Sequence, residues 1–258
     1  MTTWDPSGLV YATLAAVAAG AINALAGGGT LISFPVLVAV GVPPVAANIT
    51  NAVALCPGYF GATIAQLPNL KGQRAQLMLL IPIAVLGGLA GGMILLRTGE
   101  RTFTALVPWM ILAASLLLAV QEPVKKFVSK RLSNPSHKHH TAWFSALPIA
   151  AAAIYGGFFS AGMSVLLLAV LGLTLDDSLT RLNALKQVLA FSVNIAAAVF
   201  FLFSDQVVWG LAVVMAIGAL IGGAIGGKLA GKLPPAVLRW VVVVAGIAIA
   251  ILYWVKSN

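Results

Sequence analysis

The sequence predicts an all-α, polytopic helical membrane protein made of two inverted repeats, each a broken helix or hairpin followed by three spanning helices. Three observations predict it: the composition, a pair of interrupted apolar segments in matching places, and the placement of the basic residues. Of 258 residues, 60% are hydrophobic and 8% are charged, and the mean hydropathy is +1.02. A soluble domain carries about 25% charged residues, whereas long uncharged stretches suit a bilayer-embedded bundle. The alternating ten-residue segments of a β-barrel are absent. The net charge of +9 comes from basic residues in loops between apolar runs, a pattern of membrane sidedness and not of nucleic-acid binding.

Apolar runs fall at 8–26, 30–41, 44–66, 75–96, 102–121, 143–159, 163–173, 179–203, 207–227 and 236–255. Most are long enough to cross a ~30 Å core as helices. The opening MTTWDPSG has no basic n-region, so the first run is expected to be a mature segment and not a cleaved signal peptide. This first run breaks at Gly27-Gly28-Gly29 and resumes as the short run after Thr30. Consecutive glycines disfavour a helix by roughly 1 kcal/mol each. In lipid, the backbone they free is tolerated only inside protein or beside a cavity. The half-helix after the break would present its N-terminus, with a partial charge of about +0.5, at the interruption. Such an end suits an anion.

The second half repeats the layout, with a break at Gly156–Ser164 (GGFFSAGMS) before the second short run. At an offset of 131, Gly41 meets Gly172, Gly87 meets Gly218, Gly91-Gly92 meets Gly222-Gly223, Arg97 meets Lys228 and Trp109 meets Trp240. At an offset of 132, Asn51 meets Asn183. The expected division is an N-terminal repeat 1–121, a cytoplasmic basic linker 122–142 and a C-terminal repeat 143–258. The pairs Gly87/Gly91, Gly88/Gly92, Gly218/Gly222 and Gly223/Gly227 are spaced for close helix packing. Pro82, Pro108 and Pro148 are expected to kink their spans.

Basic residues choose between two topologies. If each broken segment crosses once, they split 8 to 6 across the membrane. If each turns back as a hairpin, Arg181, Lys228, Lys232 and Arg239 join Lys71, Arg74, Lys125, Lys126, Lys130, Arg131 and Lys138 on one side, and only Arg97, Arg101 and Lys256 oppose them. The positive-inside rule favours the hairpins, with both termini outward.

The chemistry available at membrane depth is sparse. Asp5, Glu100, Glu122, Asp176, Asp177 and Asp205 all fall in loops or near termini, which argues against a carboxylate proton relay. His137, His139 and His140 read as a solvated linker patch. The single cysteine, Cys56, reads as packing and allows no internal disulfide. No nucleophile–base pair or metal-ligand set lies within a span, so neither an enzyme, a metal site nor a cofactor is expected. Lys186 is the exception, about eight residues into its span. It is either the counter-charge for an anionic substrate or a side chain that snorkels toward Asp176 or Asp177. Asn183, Gln187 and Asn194 share its helix, and Asn48, Thr50, Asn51, Thr63 and Gln66 lie in the matching span. Their amides are either donors to an anion or interhelical glue. Asn23, Gly28, Gly29, Thr30, Ser33, Ser160, Gly162 and Ser164 stand at the two breaks.

The stretch GAINALAGGGTLISFPVLVAVGVPPVAANITNA, Gly20 to Ala52, resembles the TauE/SafE family of sulfite and organosulfonate permeases (TSUP). The glycine break, the apolar run with its proline, the Gly-Val-Pro turn and the small-residue lead into Thr-Asn carry the likeness. GGFFSAGMSVLLLAVLGL and TRLNALKQ echo it in the second half, which lacks the full glycine triplet and the proline. The resemblance implies a multi-pass carrier of the bacterial inner membrane for sulfite, sulfoacetate, thiosulfate or other sulfonates. Asn23, Gly28, Gly29, Thr30, Asn48, Asn51, Gly162, Ser164, Asn183, Lys186 and Gln187 are the expected substrate-binding set. The expected partners are the small anion and the lipid bilayer, with a homodimer as an open assembly and no nucleic acid. An anion-selective channel and a non-transporting scaffold subunit are the alternatives.

Overall fold

The computed structural model describes residues 6–25, 28–132, 145–229 and 235–257. Among them are eleven α-helices, one 3-10 turn and no strand. The helices are α1 (Pro6–Leu25), α2 (Thr30–Ala39), α3 (Pro44–Gln66), α4 (Arg74–Thr98), α5 (Glu100–Ala119), α6 (Gln121–Leu132), α7 (Ala146–Phe158), α8 (Met163–Thr174), α9 (Leu179–Phe201), α10 (Trp209–Leu229) and α11 (Pro235–Ser257). Every apolar run of the sequence is one helix. Helices α1, α4, α5, α9 and α10 are long and apolar enough to cross a bilayer. Leu14, Met78, Leu86, Phe203, Val244 and Leu252 stand exposed on the outside of the bundle, where only lipid suits them. This is a multi-pass helical membrane protein.

Both broken segments are hairpins. Ser145, at the start of α7, donates its hydroxyl hydrogen to Thr174, the last residue of α8, at 2.6 Å. A Cβ on Gly8, near the start of α1, would lie 2.7 Å from Val40, just past α2. In each case the two ends of the pair share one side. The half-helices are short: α2 has 10 residues and α8 has 12. At 1.5 Å per residue they reach about 15 and 18 Å, roughly half the hydrocarbon thickness each.

The two halves are related by an inverting pseudo-twofold. Helices α1 and α10 run parallel through small residues: a Cβ on Gly218 meets the Thr13 carbonyl oxygen at 2.8 Å, and Gly222 and Gly20 would overlap the carbonyls of Val17 and Ala219. Helices α4 and α7 repeat this contact for contact. Gly87 faces the Ala150 carbonyl, Gly91 the Ile154 carbonyl, and Gly157 the Gly88 carbonyl. Adding 137 carries Thr13, Val17 and Gly20 onto Ala150, Ile154 and Gly157, and subtracting 131 carries Gly218, Gly222 and Ala219 onto Gly87, Gly91 and Gly88. The equivalent helices α3 and α9 meet at Phe60–Phe191 and Thr63–Gln187, so they run antiparallel. Helices α5 and α11 do likewise, at Trp109–Trp254 and Ser115–Gly246. Such pairs place the axis across the spans, in the membrane plane.

Basic segments gather on one face. Arg181 donates to the carbonyl of Lys71, and Gln73 Nε2 donates to Asp177 at 2.8 Å. Arg239 pairs with Glu122, and Val128 of α6 packs against Gly172 near the end of α8. A single crossing of each broken segment would put Arg181 and Lys71 on opposite faces, so the contacts select the hairpins. At the other face, Glu100 accepts from Val45 N at 3.1 Å and caps α3, close to Arg97 and Arg101 in sequence.

Several sequence readings need correction. Residues 122–132, the first part of the expected linker, belong to the helix α6, which packs on α8 and α9. Gly41 and Gly172 are not equivalent: Gly41 sits in a turn with φ +102°, Gly172 inside α8 beneath Val128. Gly223 makes no tight approach, and Gly226, against Ala21, holds the place in the α1–α10 contact that sequence spacing gave to it. Pro35 and Pro57 also lie inside helices, which the proline reading omitted. Gly27, His137, Lys138, His139, His140 and Lys232 lie outside the described residues.

Candidate functional site

The two breaks meet. Half-helix α2 starts at Thr30 after Gly29, and α8 starts at Met163 after Gly162. Thr30 Oγ1 and Ser160 Oγ lie 3.1 Å apart, joining the interruptions of the two repeats. Around them is a cavity of about 10 Å³ lined by Asn23, Gly28, Thr30, Tyr59, Leu118, Ser160, Gly162, Ser164 and Val165. That volume holds about one water. Because α2 and α8 enter from opposite faces and each covers about half the core, the cavity lies near mid-depth.

Two glycines make the turns possible. Gly28 has φ +91° and Gly162 φ +79°, values that disfavour any side chain. Helix α5 also closes off the space behind them: a Cβ at Gly28 would lie 3.0 Å from Leu118 and one at Gly162 3.1 Å from Leu117. Aromatic rings fasten the assembly from the other side. Phe34 of α2 meets Phe159 edge-on at 5.4 Å and Phe103 of α5 at 6.4 Å, and Phe103 meets Phe158 at 5.7 Å. Tyr155 donates its hydroxyl to the Ala161 carbonyl at 2.6 Å and stiffens the second break.

The helix N-termini are less bare than sequence alone suggested. Gly29 N donates to Asn23 Oδ1 at 2.8 Å. Leu31 N is taken by the Gly28 carbonyl, Ile32 N and Ser33 N by that of Gly29, and Val165 N and Leu166 N by that of Gly162. The first turns thus satisfy much of their own hydrogen bonding. What faces the cavity is hydroxyl and amide chemistry: Thr30, Ser160, Ser164, Tyr59 and Asn23, over two converging helix dipoles.

Of the expected set, Asn23, Gly28, Thr30, Gly162 and Ser164 line this cavity, with Gly29 adjoining it. Asn48 and Asn51 stand behind. Asn48 Nδ2 donates to the Phe158 carbonyl at 2.8 Å and ties α3 to the end of α7. Asn51 Oδ1 accepts from Ser33 Oγ, while its Nδ2 is buried without a partner. Asn183, Lys186 and Gln187 do not line the cavity. Lys186 is half-buried on α9, two turns in from the basic face, with its ammonium 3.4 Å from Asn183 Oδ1. It turns neither to Asp176 nor to Asp177; the latter is bound by Arg181. Counted from the N-caps Pro43 and Ser178, Asn48 and Asn183 are the fifth residues of α3 and α9, and Asn51 and Lys186 the eighth. This differs from the pairing of Asn51 with Asn183 at an offset of 132. Tyr59 escaped the sequence reading because a tyrosine in an apolar run signals packing as readily as function.

Paired broken hairpins meeting at a closed polar cavity define a class: an inverted-repeat membrane protein of the transporter type. Residues 12–253 match the family described as Sulfite exporter TauE/SafE, and the chain belongs to that family. It is 27% identical to a probable membrane transporter protein of Haemophilus influenzae over 77% of this chain and 76% of the relative. It is 24% identical to the probable membrane transporter protein ORF9 of a Sinorhizobium species, over 94% and 91%. It is also 24% identical to the probable membrane transporter protein YfcA of Escherichia coli K12, over 79% and 73%. No solved structure matches the chain.

Proposed function

We propose that the protein is a secondary transporter that moves small sulfur oxyanions, such as sulfite, thiosulfate or sulfonates, across the bacterial inner membrane. The observation that carries this reading is the Thr30–Ser160 junction, where two half-helix N-termini and a ring of hydroxyl groups converge on one cavity. Hydroxyl and amide donors hold an anion without protonating it, and the converging dipoles favour negative charge. The family description supplies the word sulfite. A cavity of about 10 Å³ has no room for such an ion, so the conformer is closed, and transport requires one repeat to rock against the other. A closed centre favours a carrier over a channel. Lys186 lies between the basic face, taken as cytoplasmic under the positive-inside rule, and the cavity, and supplies positive charge along that route. Asn48 and Asn51 position the breaks.

The test is counterflow of radiolabelled sulfite or thiosulfate in proteoliposomes. A hydrogen bond to a charged group contributes about 1.5–3 kcal/mol, so Thr30→Val or Ser160→Ala should slow exchange roughly ten- to a hundredfold. Thr30→Ser should keep most of it, and Lys186→Ala should lose it with the fold intact. Wild-type exchange in both hydroxyl variants would remove the cavity from the transport route.

A further inference from the structure

On the basic face, away from the central cavity, three charged side chains from two helices converge. Lys125 Nζ and Arg239 Nη1 each lie 3.0 Å from the same oxygen, Oε1 of Glu122. Two cations thus share one carboxylate. Arg239 is the buried member, with its side chain 7% exposed, and its Nε has no hydrogen-bond partner. A buried guanidinium N–H left unpaired is costly, and Nε lies on the edge of the fork that binds an oxyanion through two parallel bonds. Glu122 engages only the other end.

The geometry points to a second anion site here, in which a tetrahedral or pyramidal oxyanion takes the Nε edge of Arg239 and the ammonium of Lys125. Glu122 occupies part of that site as a resident competitor. The ligand chemistry is a phosphate- or sulfate-like group with two or more oxygens. It has two sources: a free ion from the aqueous side, or the phosphate of an anionic lipid, since α6 carries Lys125, Lys126, Lys130 and Arg131 along one face of the bundle.

The protein in an uncharged detergent is titrated with sodium sulfate and with inorganic phosphate at constant ionic strength. In a second arm it is titrated with phosphatidylglycerol against phosphatidylcholine in mixed micelles, and the unfolding temperature is followed in both. A saturable rise is expected. Glu122→Gln should lower the half-saturating concentration about tenfold by removing the competitor. Arg239→Lys keeps the charge and the pairing with Glu122, so it should fold, yet it should raise that concentration about tenfold or more by deleting Nε. Saturation by the free ions assigns the aqueous source, and saturation by phosphatidylglycerol alone assigns the lipid; either supports the site. No saturable response in either arm, or one that Arg239→Lys leaves unchanged, overturns it. The Thr30→Val, Ser160→Ala double variant should keep the full response, and its loss there would place the ion in the central cavity and overturn the second site while leaving the transport reading standing.

Discussion

Glycines in this chain do different jobs, and single substitutions separate them. Gly162 has φ +79° and its Cβ space is closed by Leu117 and Ala114. Gly162→Ala should therefore lower stability by about 1–2 kcal/mol from backbone strain alone, and Gly28→Ala should follow it. Gly58 lies inside α3 with open space where its Cβ would stand. Gly58→Ala should raise stability by about 0.4–1 kcal/mol. Thermal unfolding of the three variants in one detergent checks both signs; equal shifts would mean that neither turn geometry nor space matters. The break glycines were legible in sequence because a triplet has few uses inside an apolar run. The partners of Asn48 and Asn51 were not, since an amide in a span reads the same whether it binds a ligand or a carbonyl. Only the position of Phe158 and Ser33 beside them decides that they brace the breaks.

Helix pairing turns on carbonyl oxygens facing bare glycine. A Cβ on Gly222 overlaps the Val17 carbonyl, and one on Gly91 overlaps that of Ile154. These are the same contact in two repeats, so Gly222→Ala and Gly91→Ala should each destabilise by about 1–3 kcal/mol through overpacking. Unfolding temperatures of the two variants should fall together. A large loss for one with none for the other would dissolve the equivalence of the α1–α10 and α4–α7 pairs. Sequence spacing found these glycines, but the match between α1 and α7 was invisible at the common offset, because the α1–α4 contact positions stand six residues further apart along the chain than the equivalent positions of α7 and α10. Helix α6 was hidden for another reason. Its composition is polar, and its helicity rests on an apolar stripe, including buried Val128, that has a partner only once α8 is in place. Glu122 links it to α11. Burial pushes the Glu122 carboxyl up, but Lys125, by hydrogen bond and charge, and Arg239 outweigh it and hold the group below its ordinary value. A depressed carboxyl stabilises above its unfolded pKa and loses that contribution as pH falls through the folded one. Amide exchange in the first turns of α6 should therefore quicken, relative to α4, as the pH drops below the ordinary carboxylate range. An α6 whose protection tracks α4 throughout would show that the link contributes nothing.

At the scale of the whole molecule the decisive arrangement is the inversion of one half against the other. It follows from α3 against α9 and α5 against α11 running antiparallel, and from two hairpins whose tips touch at Thr30 and Ser160. Charge alone points to it, since the placement of lysines and arginines separates hairpins from single crossings. Its physical consequence is that the α3–α4 turn and the α8–α9 turn share a face, as Arg181 on Lys71 requires, while the α4–α5 and α9–α10 turns share the other. Exposed positions report each turn: Arg74 and Asp176 on the basic face, Arg101 and Asp205 opposite. In a Cys56→Ser background, single cysteines at these four positions should react with an impermeant maleimide in two groups. Those at 74 and 176 should label only in inverted vesicles, and those at 101 and 205 only in right-side-out cells. Labelling of 74 and 176 from opposite sides would require each broken segment to cross the membrane, and the hydroxyl junction at the centre would then have no hairpins to form it.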